Sequence, residues 1–175
     1  MIKKEQLIEV LSKENINNFN IYSNDKYIGM NINEENTYSL IKVLKDNDNL
    51  KFNQLIDMSA IDYPSRELRF EVFYLFLSLY LNQRVLVKVL LKENQTICSI
   101  TSLYRSANWY ERECYDLFGI KFNDHPDLRR IMTDYNFEGH PLRKDFPLTG
   151  HTEVRYSEEK KKVISEPVRL DQEYR

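Results

Sequence analysis

The sequence predicts an α+β fold: a largely antiparallel sheet with helices on one face, followed by an extended C-terminal tail. Segments with apolar residues at helical spacing alternate with apolar runs rich in strand-forming residues, which predicts the helices and the sheet. From residue 133 onward apolar residues are sparse and three of the five prolines occur, which predicts the tail. We therefore divide the chain into a globular α+β domain, residues 1–122, and an extended tail, residues 123–175.

The N-terminal elements are predicted to be a helix, a hairpin and a second helix. Residues 2–14 carry apolar side chains at helical spacing. Residues 19–32 read as a hairpin around the turn-forming residues 23–26. Asn33 is suited to cap a second helix, whose apolar positions continue up to the polar run 45–49.

Three strands are predicted next. Residues 52–61 read as one strand, and the apolar runs 70–81 and 84–91 as a long hairpin that turns at Asn82 and Gln83. The longest apolar run, residues 72–81, is about half as long as a helix that spans a bilayer. Membrane attachment is therefore predicted to occur only through partners.

A third helix is predicted by one apolar stripe, formed by Leu103, Ala107, Tyr110, Cys114 and Leu117. Gly119 follows the last of these residues and predicts a left-handed C-terminal cap. The opposite face carries Trp109, Arg112 and Asp116, and we expect these side chains to face outward. A tryptophan among charged residues is typical of partner interfaces. The alternative is a tryptophan that lies along an arginine stem on a solvated face.

The tail is predicted to be unable to fold alone. Pro126 favours a short helical turn over residues 127–132. Residues 141–175 contain eight basic and seven acidic side chains, so this part is polyampholytic rather than a basic arm. Such a segment either stays mobile or becomes ordered along a partner.

Composition argues against several functions. The 25 basic and 27 acidic residues give no basic excess, so nucleic acid is not an expected partner. Two cysteines are too few for a zinc ribbon or a four-thiolate cluster, and the four glycines are isolated, so no phosphate-binding loop can be drawn. His125, His140 and His151 lack the spacing of metal ligands and are expected to form hydrogen bonds in turns or at an interface.

Two segments together resemble the hallmarks of one protein family. Residues 108–130 read N-W-Y-E-R-E-C-Y-D-L-F-G-I-K-F-N-D-H-P-D-L-R-R, and residues 137–150 read F-E-G-H-P-L-R-K-D-F-P-L-T-G. They resemble the signatures of the thirty-kilodalton subunit of respiratory complex I, also called the C subunit of NADH-quinone oxidoreductase or NADH dehydrogenase subunit 9. Residues 61–64, I-D-Y-P, are similar to the middle of that family. Cys114 departs from it, because an aliphatic residue is more usual there.

The resemblance implies a non-catalytic structural subunit in the peripheral arm of a proton-pumping NADH:ubiquinone oxidoreductase. Such a chain belongs to an enzyme but has no active site and no cofactor of its own. FMN and iron–sulfur clusters are expected in partner subunits. The expected partners are the large quinone-site subunit, which the tail wraps, and the iron–sulfur subunits.

Ten residues are expected to form the contact surface with these partners. They are Trp109, Arg112, Glu113, Asp116, Asp127, Arg129, Arg130, Arg143, Lys144 and Asp145.

The N-terminal sequence resembles neither a signal nor a transit peptide. The expected location is the matrix side of the mitochondrial inner membrane, or alternatively the cytoplasmic side of a bacterial plasma membrane.

Two alternative functions remain open. The first is the equivalent subunit of a related membrane-bound hydrogenase or plastoquinone reductase. The second is an independent soluble enzyme that uses His125 and nearby acidic residues as acid and base. Nothing in the sequence supplies a nucleophile, a metal site or a cofactor loop beside them.

Overall fold

The computed structural model describes residues 4–14, 16, 19–23 and 27–169. Within these residues the elements follow the order α1 (Lys4–Lys13), β1 (Phe19–Ser23), β2 (Ile28–Ile32), α2 (Glu34–Asp46), β3 (Gln54–Asp62), β4 (Phe70–Ser78), β5 (Gln83–Leu91), β6 (Thr96–Cys98), α3 (Ala107–Phe118), β7 (Lys121–Asn123), β8 (Thr152–Ser157) and β9 (Lys162–Pro167).

The main sheet has five strands in the order β1-β2-β5-β4-β3. Its neighbouring strands are antiparallel except β2 and β5, which run parallel with Ile28 opposite Val85. A parallel pair needs a long crossover connection, and α2, β3 and β4 lie between β2 and β5 in the chain. Strands β6 and β7 pair in parallel, and β8 and β9 form an antiparallel hairpin. The predicted α+β fold with a largely antiparallel sheet is confirmed.

Alternation along the central strands defines the core face of the sheet. On β4, Val72, Tyr74 and Phe76 are fully buried, whereas the intervening Phe73 and Leu75 are half-buried. Strand β5 shows the same alternation, with each valine on the buried side. The helices complete this core with side chains that are also fully buried, namely Leu7 and Leu11 from α1, Leu40, Ile41 and Leu44 from α2, and Ala107 and Cys114 from α3.

Two local details of the prediction differ from the structure. The β4–β5 turn occupies residues 79–82 rather than 82–83, and Asn82 adopts the left-handed conformation (φ 49°), which asparagine tolerates. Asn33 occupies the N-cap position of α2, but its side chain forms no capping bond there. Instead, the hydroxyl of Thr37 donates to the Asn33 carbonyl oxygen at 3.1 Å. The antiparallel pairing of β1 and β2 confirms the first hairpin, whereas residues 24–26 of its predicted turn lie outside the described residues.

The C-terminus of α3 forms as predicted. Gly119 is left-handed (φ 78°), and its backbone N–H donates to the Tyr115 carbonyl. Beyond this cap the chain turns back, so that Leu142 N–H donates to the Leu117 carbonyl at 3.0 Å. The helix end is therefore covered by the tail of the same chain.

We predict that Tyr104→Phe lowers the free energy of unfolding by about 1–2 kcal/mol. The Tyr104 hydroxyl is buried and donates to the Phe52 carbonyl oxygen at 2.6 Å, so its removal leaves a buried acceptor without this donor. Urea denaturation measures the loss. Tyr38→Phe is the control, because the Tyr38 hydroxyl meets Ser102 Oγ at the surface and should cost less than about 0.5 kcal/mol. Equal losses in the two variants would contradict the buried bond.

Candidate partner interface

Asp116 on α3 binds the segment that follows β7. Its buried Oδ2 accepts the backbone N–H groups of Ile131, Met132 and Thr133 at 2.9, 2.7 and 2.9 Å. Its Oδ1 accepts the Thr133 hydroxyl at 2.5 Å and Arg130 Nη1 at 2.7 Å. We call residues 129–133 the Asp116 loop.

These bonds explain why the helical turn predicted over residues 127–132 is wrong. The amides of residues 131–133 donate to a side chain instead of to preceding carbonyl groups. Burial alone would raise the pKa of Asp116, but the hydrogen bonds from Thr133, Ile131 and Arg130 hold that pKa well below its usual range. The carboxylate is therefore charged and its acceptor capacity is filled.

Arg112 binds the same loop from the preceding turn of α3. Its Nε donates to the Arg129 carbonyl at 3.1 Å and its Nη2 to the Arg130 carbonyl at 3.3 Å. Arg112 is only 8% exposed as a result. The expectation that Arg112 and Asp116 face outward is wrong, because the chain's own tail covers them. The expectation holds for Trp109, which is 62% exposed.

A second carboxylate, Asp62 at the end of β3, anchors the tail further on. Arg69 Nε and Nη2 donate to its two oxygens at 2.8 and 2.9 Å, and Lys144 N–H donates to Oδ2 at 2.8 Å. The Arg69 guanidinium also lies 2.8 Å from Asp145 Oδ2. Hydrogen bonding to Arg69 lowers the pKa of Asp62 against the effect of burial. Asp62 therefore holds residues 144–145 against the edge of the sheet.

Arg143 and His140 complete this attachment at the end of α3. Arg143 Nε donates to the Phe118 carbonyl at 2.6 Å, and its Nη1 lies 3.3 Å from Glu93 Oε1. His140 Nδ1 donates to the Asp116 carbonyl at 2.8 Å. These bonds satisfy carbonyl groups that the last turn of a helix leaves free. The first part of the tail is thus ordered along the chain's own domain.

The ten residues predicted for the contact surface fall into three groups. Arg112 and Asp116 are buried beneath the Asp116 loop, and Arg130, Arg143 and Glu113 are half-buried. The exposed members are Trp109, Asp127, Arg129, Lys144 and Asp145. The structure brings most of them together around α3, and their contact with a partner stays a prediction.

The sequence did not predict some of the residues that form this region. Asp62, Arg69 and Glu93 anchor the tail but lie at or next to the ends of β3, β4 and β5. Met132 and Tyr135 are 63% and 73% exposed, and Met132 is held in place by the bond from its backbone N–H to Asp116. The family-like I-D-Y-P segment contains Asp62 and was the one available signal for this anchor.

Trp109 stands beside this loop on the outer face of α3. The Arg112 guanidinium carbon lies 5.3 Å from the centre of its ring, so a bound, buried arginine supports the exposed indole. An aromatic side chain held in this way loses little conformational freedom when it enters a partner's pocket.

The β8–β9 hairpin has two unlike faces. On one face Val154, Tyr156 and Val163 are each at least 60% exposed, and Tyr156 pairs with Val163 across the strands. On the other face Arg155 binds both carboxylate oxygens of Glu166 at 2.7 and 3.2 Å. A two-stranded hairpin is only marginally stable by itself in water, so its uncovered apolar face favours contact with another surface.

Within the part of the chain that the structure describes, no group of three or more His, Cys, Asp or Glu side chains could hold a metal ion. Among the same residues, no helix has the length and apolar character needed to cross a membrane.

A profile of the family described as "Respiratory-chain NADH dehydrogenase, 30 Kd subunit" matches residues 30–152. The C subunit of NADH-quinone oxidoreductase from Cereibacter sphaeroides is 56% identical over 136 residues, which are 78% of this chain and 68% of the relative. The protein of the same name from Ruegeria pomeroyi is 51% identical over 148 residues, 85% of this chain and 74% of the relative. The match to the Dinoroseobacter shibae protein, at 58% identity, covers 78% of this chain but only 63% of that relative.

A solved structure shares the fold. It is a chain in the structure of the membrane-bound sulfane sulfur reductase, an archaeal respiratory membrane complex. The superposition has a TM-score of 0.71 and covers 83% of this chain and 85% of that one, at 20% sequence identity.

We predict that Asp116→Asn releases the Asp116 loop. The amides of Ile131, Met132 and Thr133 should lose hydrogen-exchange protection by about a hundredfold, or roughly 3 kcal/mol, because the asparagine amide lacks the charge and turns a donor toward them.

The matched control is Asp134→Asn, an exposed acid near the same loop, which should leave the protection unchanged. In the unmodified chain the folded-state pKa of Asp116 lies below its ordinary value of 3.8. The stabilisation should therefore be complete above about pH 4 and disappear as the pH falls further. Full protection in Asp116→Asn would contradict the role of this carboxylate.

Proposed function

The chain belongs to the family of the respiratory-chain NADH dehydrogenase 30 kDa subunit, and from that premise we propose that it is a non-catalytic structural subunit of the peripheral arm of a proton-pumping NADH:quinone oxidoreductase. In this role it docks the large quinone-site subunit and supports electron transfer from NADH to quinone. Its contribution to the enzyme is assembly, since the proposal gives it no active site of its own.

One structural observation supports this proposal above the others. Asp116 and Asp62 hold residues 131–133 and 144 of the tail against the globular domain, while large apolar side chains remain exposed around them. This segment is bound to the chain's own domain on one side and exposes apolar side chains on the other, so it can present a preformed surface to a partner. The exposed side chains are Trp109, Met132, Tyr135 and Leu142.

The contact residues divide by role in this proposal. Trp109, Asp127, Arg129, Lys144 and Asp145 are exposed and would touch the partner directly. Arg112, Asp116, Arg130 and Arg143 bind the tail from within and would act by holding that surface in shape. Glu113 is half-buried on the same helix and would lie at the border of the contact.

Partners supply the redox groups in this proposal. FMN and the iron–sulfur clusters, which carry electrons from NADH, would be bound by the iron–sulfur subunits and their neighbours. Attachment to the membrane would also be through partners. The curated relatives reported above are bacterial, so a location on the cytoplasmic side of a bacterial plasma membrane is proposed. For an organelle-encoded chain the corresponding place is the matrix side of the mitochondrial inner membrane.

The second candidate is the equivalent subunit of a related membrane complex with another electron donor, such as a hydrogenase or a plastoquinone reductase. This candidate is considered because a chain of the archaeal sulfane sulfur reductase, a different respiratory membrane complex, has the same fold. The 51–58% identity to NADH-quinone oxidoreductase subunits, compared with 20% to that chain, favours the first candidate. Native electrophoresis of gently solubilised membranes, stained for NADH dehydrogenase activity, distinguishes the two by whether the chain migrates with the active band.

We predict that Trp109→Ala weakens binding of the chain to the complex by roughly thirtyfold, about 2 kcal/mol, because a central tryptophan anchor is lost. In the organism that expresses the complex, the native subunit is replaced with a tagged variant. Native electrophoresis then measures the fraction of the tagged chain that migrates with the large band stained for NADH dehydrogenase activity. The isolated variant should keep its stability, because the indole is mostly exposed.

Tyr80→Ala is the matched control for this change. Tyr80 is 74% exposed and lies in the β4–β5 turn. The tail contacts the opposite end of β4, where Arg143 lies over the ring of Phe70, so Tyr80 is remote from the proposed interface. This variant should be incorporated normally. Normal incorporation of Trp109→Ala would remove α3 from the proposed interface. An equal loss of incorporation in both variants would show that the effect does not depend on where the exposed aromatic residue lies, which would contradict a specific contact at Trp109.

We also predict that Tyr156→Ser lowers incorporation by roughly tenfold, because it removes the largest apolar side chain from the uncovered face of the β8–β9 hairpin. Glu153→Ser changes the opposite face of the same strand and should have little effect. The same electrophoretic assay measures both. A greater loss for Glu153→Ser would mean that the ionic face is the one that docks.

A further inference from the structure

Glu111 is a buried carboxyl group that the proposed interface does not use. It lies on the core side of α3 with no solvent exposure. Ile100 N–H donates to its Oε1 at 2.8 Å, and the hydroxyl of Ser99 faces the same group. Its Oε2 is buried and has no hydrogen-bond partner among the described residues. An ionised carboxylate in this position would leave a charged oxygen without a donor, which is costly.

His125 lies beside this oxygen. Asp127 N–H donates to His125 Nδ1 at 3.0 Å, which places the ring proton of the neutral imidazole on Nε2. That nitrogen lies 3.3 Å from the Asn108 carbonyl oxygen and 3.9 Å from Glu111 Oε2. Both side chains are fully buried. A single N–H group therefore faces two acceptors, one on the backbone of α3 and one on its side chain.

The titratable and charged groups around this site come from every element packed against it. Those that interact with Glu111 or His125 are Arg112 and Cys114 on α3, Tyr74 on β4 and Asp127 in the tail. Further out, Glu113 on α3, Asp57 on β3 and Cys98 on β6 interact with Cys114 or Tyr74. The one cation among them, Arg112, is bound to two carbonyl groups of the Asp116 loop. Glu111 Oε2 thus has no cation at hydrogen-bond distance in the described part of the chain.

We propose that Glu111 and His125 form a buried proton-binding site beneath α3, in which a proton on the Glu111 carboxyl determines which acceptor the His125 Nε2–H takes. With the proton bound, the carboxyl is neutral and Nε2–H donates to the Asn108 carbonyl. When the proton leaves to solvent, the carboxylate draws the same N–H toward Oε2. The imidazole stays neutral in both states, so the site exchanges one proton.

The directions of the pKa shifts agree with this order of protonation. Burial raises the pKa of Glu111 to about 7, although the hydrogen bonds from Ser99 and Ile100 act in the opposite direction. Burial also lowers the pKa of His125, against the effect of its bond to the Asn108 carbonyl. Near neutral pH the pair therefore takes up its proton on the carboxyl group and not on the ring.

The site is connected to the surface through one hydrogen bond. Any shift of the His125 ring moves the acceptor of Asp127 N–H, and Asp127 lies two residues before the Asp116 loop. Asp127 also pairs with the exposed Arg129 at 2.9 Å. The state of the proton site is therefore passed to two residues of the proposed contact surface, and only this last step rests on the proposed function.

The test is an NMR titration of the full chain, labelled with ¹³C and ¹⁵N, between pH 5 and pH 9. The carboxyl carbon of Glu111 should titrate with a midpoint near 7. The Nε2–H resonance of His125 should shift with the same midpoint, and at that midpoint its nitrogen shifts should be those of the neutral ring. Glu111→Gln should abolish both changes, and the control Glu113→Gln, on the same helix but half-buried, should leave both in place.

Two results would overturn the proposal. One is a Glu111 midpoint within the ordinary range of about 4–5. The other is the ¹⁵N signature of an imidazolium at His125 at the midpoint of the Glu111 titration, which would put the proton on the ring. If Glu111→Gln does not fold, the assigned wild-type titration still separates these outcomes. The measurement needs no partner, so failure of the incorporation assays would not affect it.

Discussion

The capture of a loop by the carboxylate of Asp116 is the interaction on which the exposed surface of this molecule depends. The segment after β7 has few apolar residues, so burial alone cannot order it. Five donors from residues 130–133 converge on the Asp116 carboxylate. Arg112 in turn donates to a backbone carbonyl group of the same loop. The loop is thus fixed by hydrogen bonds to a rigid helix, and the side chains between those bonds remain outside.

A fixed loop changes how association with a partner is stabilised. A disordered tail loses backbone freedom when it binds, at about 1–2 kcal/mol per residue. Here Asp116 and Asp62 order the tail as far as residue 146 during folding of the chain itself. The β8–β9 hairpin differs, because among the residues that the structure describes its apolar face stays exposed and has no such anchor. The tail up to residue 146 therefore offers a preformed surface. The β8–β9 hairpin is the part that contact with another protein would stabilise most.

Much of the fold follows from local patterns in the sequence. Spacing of apolar residues predicted α1, α2 and α3, and Gly119 marked the end of α3, because these signals depend on neighbours within a few positions. The positions of Arg112 and Asp116 could not be obtained in this way. Helical periodicity assigned them to the solvent side, but a segment 14 to 18 residues later in the chain covers that side. The anchor at Asp62 spans 82 residues, so local spacing does not predict it, and only the family-like I-D-Y-P segment pointed to this position.

The parallel pairing of β2 with β5 has a consequence for the order of events during synthesis. Strand β2 is complete at residue 32, but the strand beside which it lies begins only at residue 83. The β1–β2 hairpin must therefore wait, with one edge unpaired, until about fifty more residues have left the ribosome. An exposed strand edge in a nascent chain invites pairing with other chains. A pause or truncation between these two points should make the nascent chain dependent on chaperones.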